Sequence, residues 1–419
     1  MNVVLAGAHG FGRWHLRNIR RLGLRLAGVC DLVPLEDADG DLDGVPQSSD
    51  LDWLLRRTGA EVTIIATPIH THADLARTAL ARGSHVLLEK PPVRTVEEFE
   101  SLSDAVAESG LTCQVAFQSL GSHALGAVAR LVADGAVGQV RGISVTGTWS
   151  REPGYYERAA WAGRREAGDG ALTNPFAHGI ATALCLAGSE RLGEVAEVEA
   201  ELFRAHPIDA DDTSSLRVRT TGGTVIAVAV TLCAEREADP YVTVHGDGGR
   251  IRLWYTRDEV RVGEDPVVSY GRDDLLENLV SGGEPLVPLA RTGAFTQVMA
   301  AILTARDPLP IPSVLVGERR VVQGVDELVT SSAEGLALFS EIGPPWGGQV
   351  ARTVSRARRG RRRSWRGSAH APRRRAPRPA PGPACRRGRR TAGAPTPRRA
   401  PRPSTAPPWP RAGPATSPC

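Results

Sequence analysis

The sequence predicts an α/β fold in two parts: a doubly wound parallel sheet at the start of the chain, then an α+β domain with a large, mostly antiparallel open sheet. Three observations carry this. From Val3 to Phe117, short apolar runs alternate with segments of helical spacing, and such alternation implies right-handed crossovers and a parallel sheet. A glycine-rich turn, Gly7-Ala8-His9-Gly10-Phe11-Gly12, joins the first strand to the first helix. From Gln139 onward, strand-like runs follow one another directly, the pattern of an antiparallel sheet with helices on one face.

Length and composition bound the rest. A chain of 419 residues has room for two or three domains, and 41% hydrophobic with 23% charged residues is an ordinary soluble mixture. The six cysteines show neither metal-ligand spacing nor a dense disulfide framework, so a reducing, cytoplasmic setting is expected. No apolar run reaches membrane-spanning length, and Met1 leads straight into a strand, so neither a membrane nor export is expected. The net charge of +4 hides a division: residues 351–419 hold 20 arginines and no acid, which leaves about −16 on residues 1–350. Two readings fit residues 346–419. One is a disordered Arg/Pro-rich polycation able to attract nucleic acid; the other is out-of-frame translation of GC-rich coding sequence.

The elements follow in order. Val3 to Ala6 reads as a buried strand, and Arg13 to Leu22 as a helix with Trp14, Leu16, Ile19 and Leu22 on its apolar side. Gly7 and Gly12 occupy the first and third slots of the dinucleotide fingerprint, with His9 in the second and Gly10 displaced beside Phe11. In that fingerprint, which marks a Rossmann domain, the glycines turn the chain and let pyrophosphate approach the backbone at the helix N-terminus. Asp31 ends the second strand (Leu26 to Cys30), where an acid holds both ribose hydroxyls and repels a 2′-phosphate. With no basic side chain at Leu32, NAD is expected over NADP. Ser49 is positioned to cap a helix through Leu51, Leu54 and Leu55. The third buried strand, Val62 to Ala66, ends in Thr67-Pro68-Ile69-His70-Thr71-His72, and a helix follows from Ala73 to Arg82.

The next strand, His85 to Leu88, runs into Glu89-Lys90-Pro91-Pro92, and Lys90 is the only lysine in the chain. Unlike arginine, a lysine can be tuned by burial to exchange a proton, or can polarise an oxygen as a point charge. Lys90-Pro91 is a candidate cis bond. Thr95 and Glu98 form a capping box for a helix to about Ser109, and Cys113 to Phe117 is the last strand of this part. Ligands of parallel sheets bind at the strand C-terminal ends, where Gly7, Asp31, Thr67, Glu89, Lys90 and Gln118 fall. His70 and His72 either line the nicotinamide side or are merely solvated. Nothing near them completes a metal-ligand set.

Residues 1 to about 345 resemble the Gfo/Idh/MocA family of nicotinamide-dependent oxidoreductases. The resemblance rests on the Gly7–Gly12 loop, Thr67-Pro68, Glu89-Lys90-Pro91, and the later Gly168-Asp169-Gly170-Ala171-Leu172-Thr173-Asn174-Pro175-Phe176-Ala177-His178. It implies an NAD-binding domain over 1–118 and a substrate and oligomerisation domain over 119–345. It also implies a sugar, cyclitol or polyol substrate and homodimers or homotetramers. The family usually places an Asp and, four residues on, a His in the last segment; here the first is Asn174.

Positions 174 and 178 share one face of a helix read from Thr173 to Ala187, and that face can meet Lys90 across a cleft. Hydride transfer from an alcohol requires removal of the hydroxyl proton, a role suited to His178, with Lys90 orienting the oxygen. Asn174 cannot ionise, so it can position a group but cannot relay a proton.

Further strands are expected at Gln139–Thr148, Val195–Phe203, Ser214–Arg219, Val225–Thr231, Tyr241–His245 and Arg250–Trp254. Helices at Ser122–Ala133 and Thr173–Ala187 cover one face, and helical patterns near Thr292–Ala305 and Val314–Val329 are expected to pack toward the first domain. Tyr155, Tyr156, Arg158, Trp161 and Arg164, with Trp149 and Arg165, offer stacking faces and forked donors for a sugar-like ligand, or pack as an ordinary loop. Three functional readings stand: a sugar or polyol dehydrogenase, a same-fold enzyme using bound NAD transiently for elimination or hydrolysis, and a non-catalytic binding protein.

Overall fold

The structure, a computed structural model, describes residues 1–36, 42, 44–347 and 351–356. Strands β1 (Asn2–Ala6), β2 (Arg25–Cys30), β3 (Gln47–Ser48), β4 (Val62–Ile65), β5 (His85–Leu88) and β6 (Cys113–Val115) form one sheet in the order β3-β2-β1-β4-β5-β6. Every pairing is parallel. Both faces of such a sheet are covered by helices, so β4 is buried at all four residues and reads as a continuous apolar run. The covering helices are α1 (Gly12–Arg21), α2 (Leu51–Thr58), α3 (His72–Ala81) and α4 (Val96–Ser109). The order reverses between β1 and β4, which opens a crevice at the C-terminal ends of those strands.

Local chemistry sets the helix starts. Thr95 and Glu98 form the expected capping box at α4. At α2 the cap is Asp50, whose carboxylate accepts from Trp53 N at 3.0 Å, rather than Ser49. A charged acceptor at a helix N-terminus also meets the dipole favourably. The Lys90-Pro91 bond is cis.

The second part opens with α5 (His123–Ala133), β7 (Val140–Ser150), α6 (Pro153–Glu157) and α7 (Ala177–Leu186). Strands β8 (Val195–Arg204), β9 (Thr213–Thr220), β10 (Val225–Thr231), β11 (Cys233–Gly246), β12 (Arg250–Trp254), β13 (Glu259–Val262) and β14 (Val268–Ser269) follow. After them come α8 (Leu275–Val280), α9 (Gly293–Leu303), β15 (Leu309–Pro310), β16 (Val314–Val316), β17 (Arg319–Val321), α10 (Val325–Gly335), α11 (Phe339–Ile342) and β18 (Arg352–Arg356). The large sheet runs β14-β13-β12-β11-β7-β10-β9-β8-β15. Its pairs are antiparallel except β7 with β10 and β8 with β15. Period-two alternation sends Ile226, Val228 and Val230 of β10 into the main core beneath α7, and Ala229 into a second cluster with Phe203, Val325 and Val329.

Three expectations change. The helix read over Val314–Val329 is a β16–β17 hairpin followed by α10, because Val314-Leu315-Val316 favours extended backbone and Gly317 turns the chain at φ +64°. Rather than returning to the first domain, α10 covers part of the sheet face opposite α7. The helix read from Thr173 begins at Ala177, since residues 173–176 form a turn. The chain also keeps packing past residue 346: Trp346 meets Phe203 with ring centroids 5.1 Å apart, and β18 pairs antiparallel with β8. The rest of the Arg/Pro-rich tail lies outside the described residues.

α9 does lie against α4 of the first domain. One continuous apolar core includes Leu5, Ile64, Leu88 and Phe117 from the first part and Ile143, Phe176, Val228 and Phe295 from the second. Among the described residues, no helix is long and apolar enough to cross a membrane.

Candidate active site

The glycine loop is fixed by how closely the chain passes itself. Gly7 sits at φ +82°, and a Cβ there would lie 2.6 Å from the Ala66 carbonyl and from Thr67 N. A Cβ on Gly12 would lie 1.9 Å from the Gly7 carbonyl oxygen. No side chain fits at either position. His9 stands in the second slot with Nε2 3.1 Å from the Val33 carbonyl oxygen. Gly10, at φ +55°, has open space beside it, and the exposed Phe11 stacks on Trp14. Asp31 accepts from Ala8 N at 2.8 Å and from Val33 N at 3.3 Å, so its carboxylate ties the loop to the end of β2 and keeps acceptor capacity. Leu32 beside it is 88% exposed. The close-packed glycine turn at a helix start and the acid at the next strand end fit a dinucleotide.

Lys90 leaves β5 pointing into the second part of the chain. Its Nζ donates to Asn174 Oδ1 at 2.6 Å and lies 3.3 Å from the Asn174 carbonyl oxygen. Asn174 Nδ2 in turn donates to Asp169 Oδ1 at 2.7 Å. The other oxygen of Asp169 accepts from Gly163 N at 2.7 Å and faces Arg158 Nη2 at 3.4 Å. Burial pushes the Lys90 ammonium below the usual lysine value, Glu89 and Asp169 pull it back up, and Arg158 opposes them.

His178, in the first turn of α7, is 6% exposed. Ser119 Oγ lies 3.3 Å from its Nδ1, and Phe117 meets the ring edge-on. Burial, then the Lys90 charge, then Arg272 hold its imidazole well below the ordinary histidine value. It is therefore neutral at neutral pH. Lys90 and Asn174 thus meet at the turn that leads into α7, with His178 one helical turn further on and near enough for the Lys90 charge to bear on its ring.

The aromatic segment divides. Arg158 lies 3.7 Å from the Tyr155 ring centroid and 4.6 Å from that of Trp161, and Arg151 lies over Trp149 and Tyr155. Because Arg158 also faces Asp169, this stack adjoins the Lys90 network. Tyr156 instead tilts against His206, with centroids 4.8 Å apart, and Arg164 pairs with Asp209 at the surface. Tyr156 also meets Tyr155 edge-on, with centroids 5.1 Å apart, so it stays in contact with the stack, whereas Arg164 is held at the surface.

His72, expected either to line the nicotinamide side or to be solvated, is enclosed. It is 1% exposed, with Nε2 2.8 Å from the Thr67 carbonyl and Nδ1 3.0 Å from that of Pro91. A neutral ring so enclosed donates to one of the two carbonyls and fills the space between the loops instead of facing a ligand. His70 is exposed in a 3-10 turn, Thr67 Oγ1 meets Thr71 Oγ1 at 2.6 Å, and Gln118 opens the turn after β6.

Three groups escaped the sequence reading. His15 of α1 pairs with buried Glu89 at 2.9 Å, bracing the Lys90 strand end against the glycine-loop helix. Asp169 and Ser119 are the others. Asp169 lay inside a motif read for its 174/178 spacing, and Ser119 had no signal beyond adjoining Gln118. Among the described residues one compact metal-ligand group occurs, His206, Asp212 and Cys233. Its carboxylate is already held by the Ala205 and His206 amides and by His206 Nδ1 at 2.9 Å.

Residues 1–117 match the model of the oxidoreductase family with an NAD-binding Rossmann fold, and residues 126–252 match the GFO/IDH/MocA C-terminal domain. The chain is 30% identical to levoglucosan dehydrogenase of Pseudarthrobacter phenanthrenivorans over 248 residues, 52% of this chain and 62% of that protein. It is 33% identical to scyllo-inositol 2-dehydrogenase (NAD(+)) of Bacillus subtilis over 143 residues, 33% of this chain and 42% of that one. It thus spans less than two thirds of the length of these relatives. The WlbA dehydrogenase from Bordetella pertussis, solved with NADH and UDP-GlcNAcA, superposes with a TM-score of 0.59 at 23% identity, covering 74% of this chain and 99% of that one. At that identity the likeness shows the fold. With one family's two domain models matched in sequence order along the Rossmann sheet and most of the second sheet, the chain belongs to the Gfo/Idh/MocA oxidoreductase family.

Proposed function

We propose that this protein is an NAD-dependent oxidoreductase acting on a hydroxyl carbon of a sugar, cyclitol or related polyol. The observation that carries this reading is the meeting of Lys90, at the end of a nucleotide-domain strand, with Asn174 and His178 at the start of α7. NAD, when bound, supplies the hydride acceptor. Gly7, Gly10, Gly12 and Asp31 would hold it, and Asp31 favours it over NADP. The Lys90 ammonium orients the substrate oxygen and stabilises its developing negative charge. His178, held neutral by burial, takes the hydroxyl proton. Asn174 fixes the direction of the Lys90 head. Tyr155, Trp161 and the Arg158 guanidinium offer CH-stacking faces and forked donors for a polyhydroxylated ligand.

The reading extends to a homodimer or homotetramer working in the cytoplasm. The function is tested with a panel of sugars, cyclitols and polyols and NAD, followed at the absorbance of the reduced nicotinamide. Turnover of at least one panel member, lost with His178→Ala, is expected. Binding of NAD with no turnover anywhere on the panel sinks the proposal. Light scattering on the eluted protein reads the assembly, and a monomer at every concentration rejects that part.

A further inference from the structure

The buried acid of this site sits five residues before Asn174, and it is joined to Lys90 through that amide. Asp169 is 5% exposed. Its Oδ1 accepts from Asn174 Nδ2 at 2.7 Å, and Asn174 Oδ1 accepts from Lys90 Nζ at 2.6 Å. An amide has one donor end and one acceptor end. A flipped Asn174 would set its NH₂ against the ammonium and its oxygen against the carboxylate, two repulsive contacts in a buried setting. We propose that Asp169 is a positioning residue: it locks the Asn174 amide with its oxygen toward Lys90 and couples a buried carboxylate to the ammonium through a neutral bridge.

The geometry supports a dedicated role. Asp169 is itself held by Gly163 N at 2.7 Å and faces Arg158 Nη2 at 3.4 Å, so its carboxylate is fixed from the side away from Asn174. The bridge solves a difficulty posed by Asn174 alone, which can neither ionise nor supply negative charge. Asp169 provides the charge one hydrogen bond further back. Through the bridge Lys90 meets a neutral acceptor instead of the carboxylate itself, and of its three N–H donors two are directed to Asn174 oxygens. The charged and titratable groups facing Lys90 are Glu89 beside it in the chain, Asp169 and Arg158 from the segment before α7, and His178 on α7. Of these, Glu89 and Asp169 favour the ammonium, and Arg158 opposes it.

The lock is observable without any substrate because Lys90 is the only lysine. Full-length protein labelled with ε-¹⁵N lysine gives one side-chain resonance, whose titration reads the ammonium directly. Asp169→Asn is expected to move the Lys90 midpoint to lower pH, since it removes one of the two charges that favour the ammonium. Adding Asn174→Asp to that variant returns a carboxylate to the pair, now in direct contact with Lys90, and is expected to bring the midpoint back to or above its starting value. NAD binding and melting temperature, measured on the same samples, report whether each variant is folded. An unmoved midpoint in folded Asp169→Asn, or a double variant that fails to restore it, overturns the proposal. Should Asp169→Asn not fold, Asn174→Ala decides in its place: it keeps Asp169 but removes the bridge, and an unmoved Lys90 midpoint in that folded variant rejects the coupling.

The catalytic consequence rests on the oxidoreductase reading above. For the alcohol oxidised on the panel, Asp169→Asn is expected to lower kcat about tenfold with KM little changed, and to move the alkaline limb of the pH profile to lower pH. If no panel member is turned over, that reading fails while the resonance still tests the lock. If turnover is seen and the limb stays in place, the coupling through Asn174 is wrong.

Discussion

Lys90→Arg keeps the positive charge but enlarges the head and removes the accessible deprotonated state. The 2.6 Å contact with Asn174 Oδ1 leaves little room for a planar guanidinium. Turnover is expected to fall by about two to four orders of magnitude, as with His178→Ala, the usual size of a general acid or base contribution. Cofactor affinity, read by fluorescence titration with NADH, is expected to change little with His178→Ala. A second residue-scale test concerns Asp31. Replacing it with Ser and Leu32 with Arg is expected to reverse the preference from NAD to NADP, seen in the ratio of the two kcat/KM values. The pH dependence of stability follows from His178 and His72, both held below the ordinary histidine value, chiefly by burial. Above pH 6.5 both states of the protein leave these rings neutral. Below it the unfolded chain takes up protons that the folded one refuses, so stability falls as pH drops, by up to about 1.4 kcal/mol per pH unit for each such ring. His178→Gln is expected to flatten that slope in denaturant titrations between pH 7 and pH 5. That Lys90 meets the segment carrying Asn174 and His178 was legible because a sole lysine at a strand end and a histidine at helical spacing both carry position in the sequence. His72 was not, since nothing in its neighbours told that the carbonyls of Thr67 and Pro91 would close around it.

Gly12→Ala would force a methyl into the Gly7 carbonyl, where the turn and α1 meet. A loss of about 1–3 kcal/mol in stability is expected, together with loss of NADH binding by fluorescence, because the loop backbone must move to relieve the contact. Elements with strong local signals were read closely: β10 and β12 match the runs Val225–Thr231 and Arg250–Trp254 end for end. The capping box of α4 was equally plain. The failures lie where two local signals compete. Val314 to Val329 has apolar spacing that suits a helix, but Val314 and Val316 are β-branched and a glycine follows, so a hairpin wins the first half. At α2, Ser49 and Asp50 are both good caps, and only the backbone geometry decides for Asp50.

The sequence divides at the scale of the whole chain into an acidic body and an arginine-rich end, and composition alone put the boundary near residue 346. Packing moves it outward: β18 lies against β8, with Arg356 Nε 2.6 Å from a Glu197 oxygen. Such exposed pairs contribute little. Truncation after Ala357 is expected to leave the melting temperature within about 2 °C and NADH binding unchanged, and a larger drop would place further stabilising structure beyond that point. The two-part architecture was visible in the change of pattern after Phe117. The shared core was not, because the pattern within a segment does not say which other segment it faces. That core has a thermodynamic consequence. Since Leu88 and Phe117 are sealed in the same apolar cluster as Phe176 and Phe295, neither part can lose its packing without exposing the other to water. The two parts should therefore melt as one cooperative unit, with a calorimetric enthalpy equal to the van't Hoff enthalpy. A core truncation in the second sheet, such as Val228→Ala, should then lower the temperature at which the nucleotide-binding half comes apart.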